Sequence, residues 1–338
     1  MSSIPTTMKA IVVHSPGGID ALTLENNYPV PELKEGHVLV KNEFAGLNFI
    51  DTYYRSGLYK QELPFISGGE GGGTVVAVSS SVSDVQVGDR VVYMVLGTYC
   101  EYTAVPADKI VKLPSTISME SALACMIQGL TAHYLTTDAT AGLIQPNEWC
   151  LIFSVGSGTC QWAAQMAKLQ GYKVIGTTSK TKSAPKCCDE VIVLETVEGK
   201  TYSDFSSVDI VQRVMEITGG NGVKLIIDGV GKSTSEISIQ CLARRGIWIS
   251  FGNASGPVPP FSLLSLTPKS AFCTRPKLGD YAATKEELEA RANDVFTWVT
   301  EGKLEVKVDQ IFPLADAQKA HAYLESGQSQ GKVLFKVD

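Results

Sequence analysis

Basic runs, long apolar runs and metal-ligand spacings are all missing from this 338-residue chain. Lysine and arginine number 29 against 35 aspartates and glutamates, a net charge of −6. An acidic chain without basic clusters is a poor partner for nucleic acid or an anionic bilayer. No apolar stretch approaches the roughly 20 residues that span a membrane. The opening MSSIPTTMKAIVV has neither a hydrophobic signal region nor an Arg-rich amphipathic pattern. The closing KVLFKVD carries no retention or peroxisomal tripeptide. A cytoplasmic protein is expected. The histidines, His14, His37, His133 and His321, are scattered, and none of the eight cysteines forms a C-x-x-C pair. A zinc site therefore lacks its parts. Cys187 and Cys188 are adjacent and cannot readily bridge without strain, and most other cysteines sit in apolar runs, so reduced thiols are expected.

What is present is an ordinary α/β balance, with 44% hydrophobic residues, 19% charged residues and 31 glycines. The length suffices for two domains. The first 130 residues read as β-rich: MKAIVVH, HVLVKNEF, GTVVAVSS and DRVVYMV are short runs between Gly, Pro and Asp turns. From about residue 131 apolar strands alternate with amphipathic helices. CLIFSV precedes a helical QWAAQMAKLQG, then YKVIGTT, a shorter helix, VIVL, the helical VDIVQRVMEITGG, LIIDGV, a helix and GIWISFG. That alternation implies parallel βαβ units with both sheet faces covered. TKEELEARANDVFTWVTEG then reads as a helix with an acidic first turn, and KVLFKV as a strand.

A strand ending in small residues and followed by a helix is dinucleotide-binding geometry, because glycines let the pyrophosphate approach the helix N-terminus. Here that turn is SVGSGTC, residues 154–160: Ser154, Val155, Gly156, Ser157, Gly158, Thr159, Cys160. Alone it is equally compatible with a plain βα turn. The second strand ends in Gly176-Thr177-Thr178-Ser179, where a cofactor with a free ribose 2′-hydroxyl meets an acid. No acid appears before Asp189, and Ser179, Lys180 and Lys182 follow instead. A hydroxyl beside cations suits a 2′-phosphate, hence NADPH over NADH, although both lysines can equally be solvated surface charge.

The most telling stretch is AGLNFIDTYYRSGLY, residues 45–59. It packs an amide, a carboxylate, a guanidinium and three phenols into a dozen residues, with Asn48, Tyr53 and Tyr59 among them. Together with SFGNASGPVPPF, residues 250–261, it resembles the zinc-independent, zeta-crystallin-like quinone oxidoreductases of the medium-chain dehydrogenase/reductase superfamily. The likeness runs over nearly the whole chain from Met8. It implies a discontinuous GroES-like β-barrel-type catalytic domain, residues 1–131 and 274–338. Residues 132–273 would form a Rossmann-like, doubly wound parallel-sheet nucleotide domain. Asn48, Tyr53 and Tyr59 would line the catalytic site, with Tyr53 donating to the acceptor oxygen and Asn48 orienting the carboxamide or the acceptor. Cofactor contacts would come from Asn48, Thr131, Val155, Gly156, Ser157, Gly158, Thr159, Thr177, Ser179, Lys182, Phe251, Gly252, Asn253, Arg275 and Lys332.

The resemblance also defines departures. Zinc-dependent relatives carry Cys at Asn48 and Gly-His-Glu at Gly68-Gly69-Glu70, so no metal is expected. The family turn AAAGGVG keeps only Gly158 here, and Cys160 should push its helix outward. The implied reaction is hydride transfer from NADPH to a quinone or other electron-poor conjugated carbonyl. The alternative is an NADPH-binding crystallin-like or RNA-binding protein with little catalysis. A homodimer through the nucleotide domains is implied, with GIWISFG and SAFCTRP at the contact.

Overall fold

The computed structural model describes residues 4–200 and 202–337. Its first strands are β1 (Thr7–Val13), β2 (Leu22–Pro29), β3 (His37–Leu47), β4 (Phe65–Ile66), β5 (Gly71–Val78), β6 (Arg90–Tyr93), β7 (Tyr102–Pro106) and β8 (Ile110–Lys112). Helix α1 (Phe49–Arg55) lies between β3 and β4, and α2 (Met119–Ala124) follows β8. A π-helical stretch, Cys125–Leu130, leads into α3 (Thr131–Thr136). Then come β9 (Trp149–Ile152), α4 (Gly158–Leu169), β10 (Lys173–Ser179), β11 (Glu190–Thr196) and β12 (Ser203–Asp204). They are followed by α5 (Ile210–Ile217), β13 (Val223–Asp228), α6 (Ser235–Cys241), β14 (Leu242–Ser250) and β15 (Phe272–Thr274). The chain ends in α7 (Leu278–Tyr281), α8 (Lys285–Thr300), β16 (Val308–Pro313), α9 (Ala317–Glu325) and β17 (Lys332–Lys336).

The chain forms two compact units. The first comprises the chain up to Ile127, Ala282–Leu324 and the tail from Lys332. Its larger sheet runs β16-β17-β3-β5-β6-β8, with β7 also pairing β3, and its smaller sheet runs β2-β1-β4. The C-terminal strand enters because β17 pairs antiparallel with β3, Val333 opposite Leu47. Val333, Leu334 and Phe335 are buried, which ties the tail to the core with about 1.5–3 kcal/mol per large side chain. Helix α8 starts on Thr284, whose side chain caps Glu287 while Glu287 returns the bond, and it ends before Gly302 at φ +71°.

The second unit comprises Gln128–Tyr281 and Glu325–Gly331. Its sheet order is β12-β11-β10-β9-β13-β14-β15. Apart from the antiparallel β12, neighbouring strands pair in parallel. Counting from β9, the parallel strands read 3-2-1-4-5-6, the doubly wound order with its switch point between β9 and β13. Leu151, Ile175, Leu194, Ile226 and Trp248 are buried within it, as strands covered on both faces require.

Two sequence expectations need correcting. No helix forms between β10 and β11. Residues 180–189 are turns instead, because the connection is ten residues long and Pro185 interrupts any helical hydrogen-bond ladder. GIWISFG is not an edge: β14 lies between β13 and β15, so only SAFCTRP presents an open strand edge.

Candidate active site

In the first unit, β3 delivers the chain into α1. Asn48, in extended conformation, is the N-cap, and the Asp51 carboxylate accepts from its backbone N–H at 2.8 Å. The Asn48 side chain is itself held at both ends. Its Nδ2 donates to Glu70 Oε1 at 2.6 Å, and its Oδ1 accepts from Lys332 Nζ at 2.9 Å. Lys332 also pairs with Glu70 and donates to the Leu47 carbonyl at 3.3 Å. The second Glu70 oxygen accepts from the Ile127 N–H at 2.7 Å. Glu70 and Lys332 are both wholly buried.

One turn into α1, Tyr53 and Tyr54 are half-buried and converge on Tyr59. The Tyr53–Tyr59 rings meet edge-on at 5.3 Å and Tyr54–Tyr59 at 5.7 Å. Such edge contacts order the phenols beyond simple burial. Asp51 and Arg55 of the same stretch join a buried polar layer with Tyr99 and His321, two residues that sequence reasoning missed. The Tyr99 hydroxyl donates to Asp51 Oδ2 at 2.7 Å. Burial pushes the Asp51 carboxyl up from 3.8 to about 7, against the opposing pull of that hydrogen bond. Arg55 Nη1 lies 3.0 Å from His321 Nδ1, so the imidazole accepts there. Burial, then the Arg55 charge, takes His321 down to about 3 and keeps it neutral. Only chain folding brings residues 51, 99 and 321 together, so no local motif signals this layer.

Among the described residues no group of three or more His, Cys, Asp and Glu is placed around a common point. The ammonium of Lys332 already neutralises Glu70 and contacts Asn48, which stands at the cysteine ligand position. A divalent cation beside that buried ammonium would meet like-charge repulsion. At the histidine ligand position, a Cβ on Gly69 would come 3.5 Å from Asp51 Oδ1 and 3.3 Å from Ile127.

In the second unit the candidate residues gather at the C-terminal ends of the parallel strands. The Ser154 N–H donates to Thr177 Oγ1 at 2.9 Å, the Val155 N–H to the Thr177 carbonyl at 2.9 Å, and the Phe153 N–H to the Ile227 carbonyl at 3.2 Å. These bonds fix the turn after β9 at the switch point. Ser154 takes a left-handed φ of +57°, a conformation usually left to glycine. Ser157 is the extended N-cap of α4, so the amides of Gly158 and Thr159 open a twelve-residue helix. Such an N-terminus, with its unpaired N–H groups and dipole, suits a pyrophosphate. A Cβ on Gly158 would lie 2.5 Å from the Gln128 amide, so only glycine lets that side chain approach. Thr131, also buried, begins α3 three residues later.

Gly156 lies beneath Lys182, whose Cβ would be 3.1 Å from a side chain there. Lys182 thus belongs to the glycine turn and not to the open surface. The Lys182 N–H donates to the Ser179 carbonyl at 3.1 Å, and Ser179 Oγ lies 3.1 Å from Thr181 Oγ1. Lys180 points elsewhere and pairs with Glu195. Cys160 is 3% exposed and buried in the first turn of α4, with burial pushing its thiol up to about 12.

Asp228, at the end of β13, is a residue that sequence reasoning passed over. It accepts from the N–H of Val230 at 2.8 Å, from Thr234 Oγ1 at 2.9 Å and from Trp248 Nε1 at 3.1 Å. It thereby sets the turn against which Phe251, Gly252 and Asn253 lie. The Phe251 N–H donates to the Asp228 carbonyl at 2.8 Å. Arg275 clamps the same strand end, donating to the carbonyls of Ser250 and Gly252, each at 3.0 Å.

Residues 34–115 match the family described as alcohol dehydrogenase GroES-like domain, and residues 192–334 match zinc-binding dehydrogenase. The quinone oxidoreductase of Salmonella typhimurium is 40% identical over 331 residues, 96% of this chain and 98% of that protein. The chain belongs to the quinone oxidoreductase family of medium-chain dehydrogenases/reductases. Within the family, the Escherichia coli quinone oxidoreductase complexed with NADPH superposes with a TM-score of 0.89 at 39% identity, covering 97% of this chain and 99% of that one. A 2-haloacrylate reductase from Burkholderia sp is 32% identical over 96% of this chain and 98% of its own length. The fold is that of the family: a GroES-like domain with a parallel Rossmann-like sheet.

Proposed function

We propose that this protein is an NADPH-dependent, zinc-independent reductase that reduces a quinone or a related conjugated carbonyl. The observation that carries the zinc-independent part is the buried Lys332–Glu70–Asn48 triad, which puts the protein's own cation where zinc-dependent relatives assemble ligands. The turn Val155–Thr159 would hold the pyrophosphate, and Ser179 and Lys182 the 2′-phosphate. Thr131, Thr177, Phe251, Gly252 and Asn253 would surround the remainder, with Arg275 fixing the strand end. When bound, the nicotinamide supplies the hydride. The chain's own task is to orient the acceptor and to donate hydrogen bonds to the oxygen that gains charge. Tyr53, edge-on to Tyr59, is the proposed donor. Asn48 is anchored by Lys332 and Glu70 and sets the geometry of α1. A crystallin-like or RNA-binding role without catalysis is not favoured, since the relatives above are named as oxidoreductases and reductases.

The test is turnover of a simple quinone after exhaustive dialysis against a chelator. Activity with NADPH should survive, and NADH should be the poorer donor. Activity lost on dialysis and restored by zinc would refute the zinc-independent reading, and equal use of both nucleotides would refute the roles of Ser179 and Lys182. A second expected outcome concerns Tyr53→Phe. A hydrogen bond lost at the developing charge is worth about 1–3 kcal/mol, or roughly 5- to 150-fold in turnover. NADPH affinity, read by fluorescence, should hardly move. Unchanged single-turnover hydride transfer would make Tyr53 a wall of the pocket only.

We also infer a homodimer through the second unit. The free edge of β15 and the exposed Leu263, Leu264 and Phe272 support it, at 75%, 77% and 44% exposure. Light scattering reads the mass directly, and a monomer at micromolar concentration would exclude it. Among the described residues no helix is long and apolar enough to cross a membrane. The proposed location is the cytoplasm, which cell fractionation tests.

A further inference from the structure

The eight thiols differ in access. Cys100, Cys125, Cys150, Cys160 and Cys241 are buried, Cys273 is exposed on β15, and Cys187 and Cys188 are half-buried. The last two lie in the connection between β10 and β11, which no proposed nucleotide contact explains beyond Lys182. They are consecutive in the chain, on a turn closed by the Cys188 N–H on the Pro185 carbonyl at 3.1 Å. The two thiols influence each other's titration, Cys188 being pushed up and Cys187 drawn down. Lys168, paired with Asp189 at 2.9 Å, stands beside them. The neighbouring Cys188, ahead of the Lys168 charge, draws the Cys187 thiol below its ordinary range.

The pair is also connected to the nucleotide turn. A Cβ on Gly176 would meet Val155 Cγ2 at 2.7 Å and the Cys188 sulfur at 3.0 Å. Cys188 and Val155 thus share the space over Gly176 in β10. Moving that sulfur disturbs the packing beside Val155.

We propose that Cys187 and Cys188 form a vicinal dithiol site that captures trivalent arsenicals, and that its occupation antagonises nucleotide binding. With an arylarsine oxide the step balances without any redox change. Two As–S bonds form, the As–O bond is lost, and the oxygen leaves as water carrying both thiol protons. Two soft thiols on one chain suit a soft, thiophilic centre. Because the second thiol is already at hand, chelation should exceed single-thiol capture by about 100-fold or more. The antagonism rests on the reading that this unit binds NADPH, whereas the capture does not.

The experiment uses the full chain carrying Cys273→Ser, so that the exposed thiol cannot compete, with phenylarsine oxide as probe. Intact mass and thiol titration are read first. The expected result is one arsenic per chain with two thiols lost, mapped to Cys187 and Cys188. It should be reversed by a dithiol and not by an equal concentration of monothiol. Cys187→Ser and Cys188→Ser, each checked for an unchanged melting temperature, should each lower affinity by about 100-fold. Adduct formation that persists in either variant, or two thiols reacting independently, would overturn the site. NADPH is then added: slowed capture is expected, and capture at an unchanged rate by a chain that demonstrably binds NADPH would overturn the antagonism. A chain that captures arsenic and binds no NADPH would instead refute the nucleotide reading.

Discussion

Replacing Lys332 by methionine is expected to destabilise the protein by about 3–5 kcal/mol, the cost of leaving a buried charge without its partner. Glu70 is wholly buried, and its remaining donors are the Asn48 amide and the Ile127 N–H. Those two bonds do not neutralise a carboxylate. The variant should melt well below the wild type and should unfold earlier in urea. The double variant Lys332→Met, Glu70→Gln removes both charges while keeping an acceptor for the Asn48 amide. It should recover most of the loss, because a buried pair is worth little net once its desolvation is counted. A single variant within about 1 kcal/mol of wild type would mean that the Glu70 charge is compensated without Lys332. A double variant no better than the single would assign the loss to packing of the lysine stem.

The second large effect is a change in how stability depends on pH. Asp51 titrates at about 7 in the folded chain against 3.8 ordinarily. Between those values the folded state holds a proton that the unfolded state has released. Its contribution to stability is therefore present at the acid end and lost as pH rises toward 7. His321, lowered from 6.5 to about 3, acts in the opposite sense. The unfolded state takes up its proton first, so stability is lost as pH falls below 6.5. Between about pH 4 and 6.5 the two slopes offset each other in the wild type. Asp51→Asn keeps an acceptor for Tyr99 and the α1 cap, and removes one slope. Relative to wild type, the variant should gain about 3 kcal/mol between pH 4 and pH 7, at about 1.4 kcal/mol per pH unit. Urea unfolding at a series of pH values measures this. A difference between the two proteins that does not vary with pH would show that Asp51 is ionised throughout. The groups facing it, Tyr99, Lys332 and Glu70, are the same in both proteins.

Both effects depend on contacts between residues far apart in the chain, and this divides what was legible in the sequence from what was not. The apolar runs of β9, β10, β13 and β14 and the helices between them follow from periodicity, since strands buried on both faces must be apolar throughout. The α8 cap at Thr284 and its stop at Gly302 are local, and so is the aromatic content of α1. The segment between β10 and β11 misled because its length and Pro185 weigh against a helix that alternation alone suggests.

The missed contacts have a common cause. Asp51 and Arg55 share α1, but Tyr99 and His321 come from distant stretches, and a buried polar group is recognisable only by the partner that satisfies it. Lys332 packs against Glu70 and Asn48, 262 and 284 positions away, a contact no local pattern signals. Lys180 and Lys182 are two residues apart and indistinguishable by type, yet one pairs with Glu195 and the other covers Gly156. The amino-acid sequence by itself determined the α/β class, the β-rich first part and the alternation of parallel strands with helices that follows it, because each depends on local pattern. Only the tertiary structure decided which charges are buried, which carboxyl is pushed up and which lysine covers Gly156, because those depend on desolvation and on partners that only folding brings within reach.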